Sequence, residues 1–335
     1  MLMRVGLIGA GVMGRAHAQA LSSVPQAQIV AVADPILERA RELAGRYTAQ
    51  AYADYRDLLD DVDAVWICTP SFLHREQAET GAAAGKHLFV EKPLALSIAD
   101  GQAIIAAARA AQVRLMVGHV FHFYPVFQEA YRRFETGELG DLIMCWSKRM
   151  SYASPTRMAP WRADPRQGGG FTIETQIHEL DFVSWFGGAP VGVRGTVGRD
   201  GPGGTGIDVA MSALITYANG SVGEVSGTWR AAGVFSQRGI AGTRATIITG
   251  DWAHMDHLRL IREDKVEQVI PVPDYSGAVR AEDEHFLRCI ERDEEPLVGG
   301  VDGLRAVELA LAIIASSDSN AVVTLPLVER RGGGR

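Results

Sequence analysis

An apolar run followed by three glycines opens the chain and limits what its first part can fold into. Residues 4–8 predict a short buried strand, and Gly9, Gly11 and Gly14 follow it with the spacing G-x-G-x-x-G. In that spacing the first glycine permits a tight turn, the second lets a pyrophosphate approach the backbone, and the third lets a helix pack against the sheet. The start of the chain therefore predicts a βαβ unit that binds a dinucleotide.

The residues that continue this unit agree with that prediction. The next residues predict a helix whose N-terminus, at Val12 and Met13, faces the phosphates, and residues 28–33 predict a second strand. Asp34 ends that strand 20 residues after Gly14, where a carboxylate can accept hydrogen bonds from the adenosine ribose. An alternative role is that Asp34 caps the next helix with one oxygen and leaves the other for the ribose.

The residue after the second strand also bears on the choice of cofactor. A carboxylate at Asp34 repels the 2′-phosphate of NADP, and Pro35 follows it in place of a basic residue. NAD is therefore the predicted cofactor. NADP stays open because Arg39 lies about one helical turn further on.

Composition and charge exclude several classes of partner. The 335 residues are 47% hydrophobic and 22% charged, as in ordinary globular proteins, and their number suggests two domains. A formal charge of −7 without a run of basic residues argues against nucleic acid as a partner. The chain has no apolar run long enough to predict a membrane span. Three distant cysteines without a C-x-x-C pair predict free thiols in a reducing compartment, the cytoplasm.

Strands and helices alternate up to residue 118, which predicts a doubly wound parallel sheet of the Rossmann type over residues 1–120. Ligands of such α/β folds bind beyond the carboxyl ends of the strands. Three groups of residues come directly after predicted strands, so we expect them to contact the cofactor. They are the glycine turn, Thr69 and Pro70 with His74, and Glu91 with Lys92.

The pattern changes after residue 118 and predicts a second domain over residues 121–328. Most of residues 191–272 alternate as strands do, and an Asn-Gly pair at 219–220 is a hairpin signal. The second domain is therefore predicted to be an α+β domain with a large open, mostly antiparallel sheet. Residues 329–335 predict a disordered tail.

Lys92 is the first candidate for catalysis. It is one of only four lysines among 33 basic residues, and it comes at a strand end beside the expected nicotinamide. A lysine there can donate a hydrogen bond to a substrate oxygen and stabilise the negative charge that develops as hydride moves. The alternative is an ordinary solvated lysine in a loop.

Glu174 and His178 form the second candidate pair. Residues 173–186 predict one helix, on which positions four apart lie on the same face. A carboxylate that orients an imidazole is the usual arrangement of a general base, and the glycines at 168–170 would let a ligand approach. The alternative is a structural histidine bonded to Asp181.

Histidines and aromatic residues elsewhere supply further candidates. Two H-x-x-H pairs occur, at 119–122 and 254–257, but no further ligand cluster accompanies them, so no metal site is predicted. Four aromatic residues can form the floor of a sugar site or belong to the core: Phe121, Phe123, Tyr124 and Trp161. The candidate substrate contacts are His119, His122, Tyr124, Trp161, Arg162, Thr175 and Gln176.

These motifs together resemble the glucose–fructose oxidoreductase / inositol dehydrogenase / rhizopine-catabolism (Gfo/Idh/MocA) family over about residues 3–326. The resemblance rests on the glycine turn, Thr69-Pro70 with His74, the Glu-Lys-Pro segment at 91–93, the Val-Gly-His segment at 117–119, the Gly-Glu-Leu-Gly segment at 137–140, and the glycines at 168–170 with His178. It implies a Rossmann domain joined to an α/β domain, NAD(P) as cofactor, Lys92 as the catalytic lysine and His178 as the catalytic base. Three residues depart from the usual pattern: Glu174 replaces Asp, Gln176 replaces Gly and His122 replaces Arg.

The combined interpretation is an oxidoreductase that transfers hydride between a nicotinamide and a carbon of a sugar, cyclitol or related polyol. Two alternatives stay open, a non-catalytic dinucleotide- or ligand-binding regulator of the same fold and an NAD-dependent glycosidase. Lys92 and His178 together argue against the regulator, which needs neither a base nor a polarising lysine. An open sheet would expose an apolar face, so a homodimer or homotetramer is expected.

Overall fold

Contacts between Cα atoms divide the molecule into two compact units. The computed structural model describes residues 2–152, 159–199, 206–250, 255–264 and 267–327. The first unit comprises Met1–Tyr124, Arg166–Gly168 and Tyr275–Leu304, and the second comprises Pro125–Pro165, Gly169–Asp274 and Arg305–Arg335. The predicted second domain therefore includes a segment, Tyr275–Leu304, that packs with the first unit. The predicted tail lies outside the described residues.

The described residues form the following elements. The strands are β1 Met3–Ile8, β2 Ala27–Ala33, β3 Gln50–Tyr52, β4 Ala64–Ile67, β5 His87–Glu91, β6 Leu115–Gly118, β7 Leu142–Tyr152, β8 Pro190–Arg199, β9 Asp208–Tyr217, β10 Val222–Thr228, β11 Arg230–Gly242, β12 Ala245–Thr249, β13 His257–Arg262, β14 Glu267–Pro271 and β15 Val323–Thr324. The α-helices are α1 Val12–Leu21, α2 Leu37–Gly45, α3 His74–Ala83, α4 Ile98–Ala110, α5 Pro125–Glu135, α6 Pro160–Ala163, α7 Pro165–Gly168, α8 Gly170–Glu174, α9 Ile177–Gly187, α10 Ala278–Arg292 and α11 Gly300–Ser319. Among these residues, no helix combines the length and apolar composition that a membrane crossing requires.

The first unit is built around a sheet of six parallel strands in the order β3-β2-β1-β4-β5-β6. All four residues of β4 are inaccessible to solvent, as expected when helices cover both faces of a parallel sheet. The doubly wound fold predicted from the alternating elements is confirmed. The strand order reverses between β1 and β4, so the carboxyl ends of these strands flank the crevice in which such folds bind ligands.

The segment Tyr275–Leu304 completes the first unit. Its helix α10 packs against α1, the helix that follows the glycine turn. At the edge of the sheet, the carbonyl oxygen of Val298 accepts a hydrogen bond from the backbone N–H of Val117 at 3.0 Å, and Gly299 pairs with Met116. This segment therefore contributes to the core of the first unit although it follows most of the second unit in the sequence.

The second unit contains a nine-stranded sheet in the order β14-β13-β12-β11-β7-β10-β9-β8-β15. All neighbouring strands are antiparallel except β7 and β10. The predicted hairpin is confirmed as β9 and β10, and its turn has Gly220 at a φ of +85° and Asn219 accepting a hydrogen bond from the backbone of Ser221. Alternate residues of β9 are buried and exposed, so one face of the sheet packs against helices.

The helix predicted over residues 173–186 is two helices, α8 and α9. The break falls at Thr175 and Gln176, where the backbone N–H of Gln176 donates to the carbonyl of Phe171, five residues earlier, at 3.0 Å. A hydrogen bond to the carbonyl five residues earlier closes a turn that holds one residue more than an α-helical turn. The side chains after that turn therefore point in a different direction than in a continuous α-helix. The prediction of one continuous helix carrying Glu174 and His178 is therefore wrong.

Candidate active site

The glycine turn between β1 and α1 has the shape that a pyrophosphate requires. Gly9 has a φ of +101°, and a Cβ there would lie 2.8 Å from the carbonyl oxygen of Cys68. A Cβ on Gly14 would overlap the carbonyl oxygen of Gly9, whereas a Cβ on Gly11 would meet no atom within 4 Å. Gly11 caps α1 without a side chain, and Val12 after it is 85% exposed, so the helix N-terminus is open to an anion. These residues fit a dinucleotide.

Asp34 holds the glycine turn with one carboxylate oxygen and the segment that leads into α2 with the other. Oδ2 accepts the backbone N–H of Ala10 at 3.0 Å, and Oδ1 accepts that of Ile36 at 2.9 Å. Ile36, and not Asp34, is the N-cap of α2, so the alternative in which Asp34 caps that helix with one oxygen and leaves the other for the ribose is wrong in its capping part. A carboxylate oxygen has two lone pairs, so each can still accept a ribose hydroxyl.

His74 connects the two loops that follow β4 and β5 and is fully buried. Its Nε2 lies 3.0 Å from the carbonyl oxygen of Thr69, and its Nδ1 lies 3.0 Å from that of Pro93. Burial lowers the pKa of His74, so the ring is neutral and donates to one of the two carbonyls. His74, predicted as a cofactor contact, thus braces the loop that carries Lys92. Thr69 and Pro70 are half-buried.

Glu91 and Lys92 differ in where their side chains lie. Lys92 is half-buried directly after β5, whereas Glu91 is buried. The Glu91 carboxylate has two protein partners, the ring of His17 at 3.0 Å and the backbone N–H of Lys92 at 3.0 Å. The carboxylate predicted as a cofactor contact is therefore directed into the first unit.

The residues predicted as substrate contacts at the end of the first unit are buried. His119, His122 and Tyr124 are at most 9% exposed. The rings of Phe121 and Tyr124 pack at 5.3 Å between centroids, and that of Phe123 packs against another histidine. This packing favours the alternative in which the aromatic residues belong to the core.

The predicted catalytic pair of the second unit lies at the junction of α8 and α9. His178 is half-buried in the first turn of α9. Glu174, the last residue of α8, is buried and forms an ion pair with Arg162 at 2.8 Å. The Arg162 guanidinium lies 5.1 Å from the ring centroid of Trp161, so these three residues form one cluster.

The two other predicted contacts in this unit have different environments. Thr175 is half-buried, whereas Gln176 is fully buried. A Cβ on Gly227 would overlap the Gln176 amide nitrogen, so the amide lies directly over the backbone of β10. Gln176 therefore faces the sheet, and a glycine opposite provides the room for it.

Asp208 holds the start of α8 and has no counterpart among the predicted residues. Its Oδ2 accepts the backbone N–H of Thr172 at 2.7 Å, and the Thr172 hydroxyl donates to the same oxygen. Gly170 has a φ of +77°, and any Cβ there would overlap the carboxylate. Burial raises the pKa of Asp208. The glycines at 168–170 thus make room for a protein carboxylate as well as a backbone turn.

A buried ion pair anchors α9 on the sheet next to His178. Glu179 accepts two hydrogen bonds from Arg238, at 2.6 and 2.8 Å, and both side chains are inaccessible. Ser147 on β7 donates a third hydrogen bond to Glu179. No sequence pattern indicates this pair, because Arg238 occurs in an ordinary strand pattern.

No group of three or more metal-binding side chains occurs within the described residues. His257 contacts Asp256 at 2.9 Å. His254, the other member of that predicted pair, lies outside the described part of the chain.

A glycine cradle at the switch point of a doubly wound parallel sheet defines a dinucleotide-binding protein. Residues 3–119 match the model of an oxidoreductase family with an NAD-binding Rossmann fold, and residues 127–248 match the C-terminal domain of the same family. The chain belongs to the GFO/IDH/MocA oxidoreductase family.

Individual relatives agree with this assignment over most of the chain. Inositol 2-dehydrogenase of Rhizobium meliloti (strain 1021) is 30% identical over 94% of this chain and 97% of its own. Levoglucosan dehydrogenase of Pseudarthrobacter phenanthrenivorans is 30% identical over 69% of this chain and 68% of its own. A solved structure of a levoglucosan dehydrogenase in complex with NADH superposes with a TM-score of 0.90 at 24% identity, covering 97% of this chain and 100% of that one, and shows the shared fold.

Proposed function

We propose that this protein is an NAD-dependent dehydrogenase that oxidises a hydroxyl-bearing carbon of a sugar, cyclitol or related polyol. The observation that carries the proposal is the position of Lys92, directly after β5. Strands β1, β4 and β5 are adjacent and parallel, and β1 ends at the glycine turn whereas β4 ends shortly before Thr69. Ligands of parallel α/β sheets bind at these ends. A half-buried cation there can bind the oxygen of a carbon from which hydride leaves.

Lys92 and His178 act on the same substrate hydroxyl in this proposal. Lys92 donates a hydrogen bond to the hydroxyl oxygen and stabilises its negative charge in the transition state. His178 takes the hydroxyl proton, which a half-buried imidazole in contact with substrate can do. Bound NAD supplies the acceptor of the hydride. The substrate thus loses one proton and one hydride and becomes a carbonyl compound.

Glu174 is proposed to orient the imidazole of His178 from the end of α8. Its Oε1 pairs with Arg162, and we assign Oε2 to the imidazole. The widened turn at Thr175 and Gln176 then sets the direction in which His178 leaves α9. Arg162 and Trp161 are proposed to contact the substrate from the same cluster.

The substrate class is supported by the names of two relatives. Inositol is a cyclitol and levoglucosan is an anhydro sugar, and both carry several secondary hydroxyl groups. The cofactor preference is supported by Asp34, because two backbone N–H groups hold its carboxylate beside the glycine turn, where it repels a 2′-phosphate.

We further propose that the protein forms a homodimer or homotetramer through the open face of the nine-stranded sheet. One row of residues crosses this face in register: Arg194, Leu214, Glu224, Trp146, Gly239, Ile248, Arg259 and Val269. Trp146 covers Gly239, and Leu214 is 54% exposed. The row mixes apolar side chains with charged ones at Arg194, Glu224 and Arg259, and a second copy of the chain could cover its apolar part and pair its charges.

The cytoplasm is the proposed compartment. The three cysteines, Cys68, Cys145 and Cys289, are all free, as is usual where thiols are kept reduced.

The experiment that tests the function is a substrate screen with NAD. The purified protein is mixed with NAD and a panel of cyclitols, sugars and anhydro sugars, and the absorbance of NADH is followed. We expect NADH to form with at least one polyol. Lys92→Ala should lower kcat by roughly a hundredfold or more, because the charge that Lys92 stabilises develops only in the transition state. NAD binding without any turnover would instead identify a regulator, and NAD-dependent release of an aglycone would identify a glycosidase.

A further inference from the structure

Three charged side chains from distant parts of the sequence meet in the interior of the first unit. His17 on α1 lies between Glu91 at the end of β5 and Asp283 on α10. Its Nε2 is 3.0 Å from Oε1 of Glu91, and its Nδ1 is 2.7 Å from Oδ1 of Asp283. His17 and Asp283 are inaccessible to solvent, and Glu91 is nearly so. We name these three residues the His17 triad.

The geometry of the His17 triad favours a protonated histidine. Two carboxylates that only accept hydrogen bonds require both ring nitrogens of His17 to donate, which makes the ring an imidazolium. Burial raises the pKa of Asp283, whereas His17 and the indole of Trp66 lower it, so this carboxylate depends on the imidazolium for its charge. Burial alone would lower the pKa of His17, but the carboxylates of Asp283 and Glu91 hold it well above its ordinary value. Burial raises the pKa of Glu91 less than His17 and Lys92 lower it, so this carboxylate stays ionised.

The His17 triad is connected directly to the catalytic segment. The second oxygen of Glu91 accepts the backbone N–H of Lys92 at 3.0 Å. The first oxygen faces Gly118 on the neighbouring strand β6, where an added Cβ would lie 3.2 Å from it. The carboxylate is therefore held on three sides, by an imidazolium, by the Lys92 backbone and by the glycine of the next strand.

Two further contacts fix the position of the histidine itself. Oδ1 of Asp283 also accepts the indole N–H of Trp66 at 2.8 Å, so this carboxylate is tied to β4. The ring of Phe89 packs edge-on to His17 at 4.9 Å between centroids. The orientation of His17 is therefore set independently of Lys92.

We propose that His17 is a positioning residue for Lys92: as an imidazolium it holds the Glu91 carboxylate under the Lys92 backbone, and so sets where the lysine ammonium stands. This inference rests on the proposed role of Lys92. Since His17 lies on the helix that starts at the glycine turn, the same contact ties the position of Lys92 to the element that carries the cofactor phosphates. Asp283, which contacts His17, lies on α10 in the segment Tyr275–Leu304, which belongs to the first unit.

The variants that test this are His17→Gln and Glu91→Gln, with Ile104→Val as the control. Glutamine at position 91 keeps the size but offers one acceptor oxygen where the carboxylate offers two, for His17 and for the Lys92 N–H. Glutamine at position 17 removes the positive charge and cannot donate to Glu91 and Asp283 from two opposite sides. Ile104 is fully buried in the core of the same unit and lies outside the His17 triad, so Ile104→Val perturbs packing without touching the proposed contact. The melting temperature of each variant is measured, so that kinetics are compared between variants of similar stability.

Kinetics form the first measurement. Positioning predicts that kcat falls at least tenfold in both glutamine variants, while the Kd for NAD changes less than threefold. The deuterium isotope effect on kcat should rise, because hydride transfer becomes slower than product release. A merely structural role predicts kcat unchanged at temperatures well below the melting point, as expected for Ile104→Val.

The second measurement does not depend on turnover. The chain has only four lysines, so reductive ¹³C-methylation gives a simple NMR spectrum in which the Lys92 signal is assigned by its loss in Lys92→Ala. His17→Gln and Glu91→Gln should shift or broaden that signal, and Ile104→Val should leave it in place. An unchanged Lys92 signal in both glutamine variants would overturn the inference. If no polyol is oxidised but the signal shifts, the proposed function fails and the positioning contact stands.

Discussion

At the scale of single residues, Asp34 serves the fold and the proposed cofactor preference with the same carboxylate. Its two oxygens hold the backbone on either side of the crevice, at Ala10 and Ile36. Asp34 is only 7% exposed, so most of its surface packs against the protein. A substitution here changes both the charge that a cofactor meets and the turn that binds it.

Asp34→Ser should therefore erode the preference for NAD, because a hydroxyl does not repel a 2′-phosphate. We expect the ratio of kcat/KM with NAD to that with NADP to fall at least tenfold. Asp34→Asn is the matched control for shape, since it removes the charge but keeps one acceptor for a backbone N–H. A preference for NADP in the unmodified protein would contradict the assignment.

The pH dependence of the rate tests His178. If its imidazole takes the hydroxyl proton, the ring must be neutral, so the rate of alcohol oxidation should rise with pH through one ionisation. His178→Ala should flatten that limb and lower the rate by roughly two to four orders of magnitude. A structural histidine would instead lower the melting temperature and leave the pH profile of the remaining activity unchanged. The two measurements on one variant decide between these roles.

His17 gives stability a dependence on pH. A histidine whose pKa is higher in the folded than in the unfolded protein stabilises the fold fully below the unfolded value, about 6.5, and loses this contribution as the pH rises towards the folded value. The free energy of unfolding of the unmodified protein, minus that of His17→Gln, should therefore fall as the pH rises above the unfolded value of about 6.5. The slope should not exceed about 1.4 kcal/mol per pH unit. Denaturant titrations at several pH values measure it, and a rising difference would contradict the imidazolium.

At the scale of elements, the buried ion pair of Glu179 and Arg238 attaches α9 to strand β11 of the sheet. Two charges inside a unit stabilise it only while they are paired, because each has lost its water. Glu179 precedes Leu180 and follows His178 directly, so any shift of this pair moves the first turn of α9. The position of His178, the proposed base, thus depends on the contact between its neighbour Glu179 and Arg238.

Arg238→Met should destabilise the second unit by roughly 1–3 kcal/mol, because Glu179 loses its two hydrogen bonds from Arg238 and is left with Ser147 and the more distant Arg149, at 3.8 Å. The double variant with Glu179→Met should recover most of that loss, since two apolar side chains of similar size need no partner. Urea unfolding of the single and double variants measures both effects. Equal stability of the two variants would mean that Glu179 finds another partner.

The elements also show what sequence patterns can predict. The glycine turn and the parallel strands follow from residues close in sequence, whose spacing and burial are local properties. The break between α8 and α9 depends on packing against the sheet, where Gln176 lies on Gly227 and Asp208 holds Thr172. No local pattern indicates such contacts. The same reason explains why His17 and Asp283, 266 residues apart, were not recognised as a pair.

At the scale of the whole molecule, the open sheet face links the fold to the proposed oligomer. Leu214→Glu places a second carboxylate beside Glu224 in the row that crosses this face, and should shift the protein towards the monomer. Val301→Glu is the control, because Val301 on α11 is 55% exposed and lies outside that row. Sedimentation velocity measures the mass of each form. An unchanged mass for Leu214→Glu would place the interface elsewhere.

The two compact units differ from the predicted domains in one segment, Tyr275–Leu304, and the reason is again long-range. The change of pattern after residue 118 lies close to the end of the first continuous stretch at Tyr124. The return of Tyr275–Leu304 to the first unit could not be predicted, because its helices have the same amphipathic pattern whichever unit they cover. The contacts that assign it, of α10 with α1 and of Val298 with Val117, join residues that no sequence window contains.

This return has a consequence for how the protein is made. The ribosome adds residue 124 long before residue 304. At a rate of synthesis of about 5–20 residues per second, the interval is roughly 10–40 seconds. Throughout that time α1 lacks α10, and the imidazole of His17 lacks Asp283. We therefore expect the dinucleotide-binding unit, although first in sequence, to reach its native state only when nearly the whole polypeptide has been synthesised. Nascent chains arrested before residue 275 should remain sensitive to protease in this unit and become resistant only after residue 304 has left the exit tunnel.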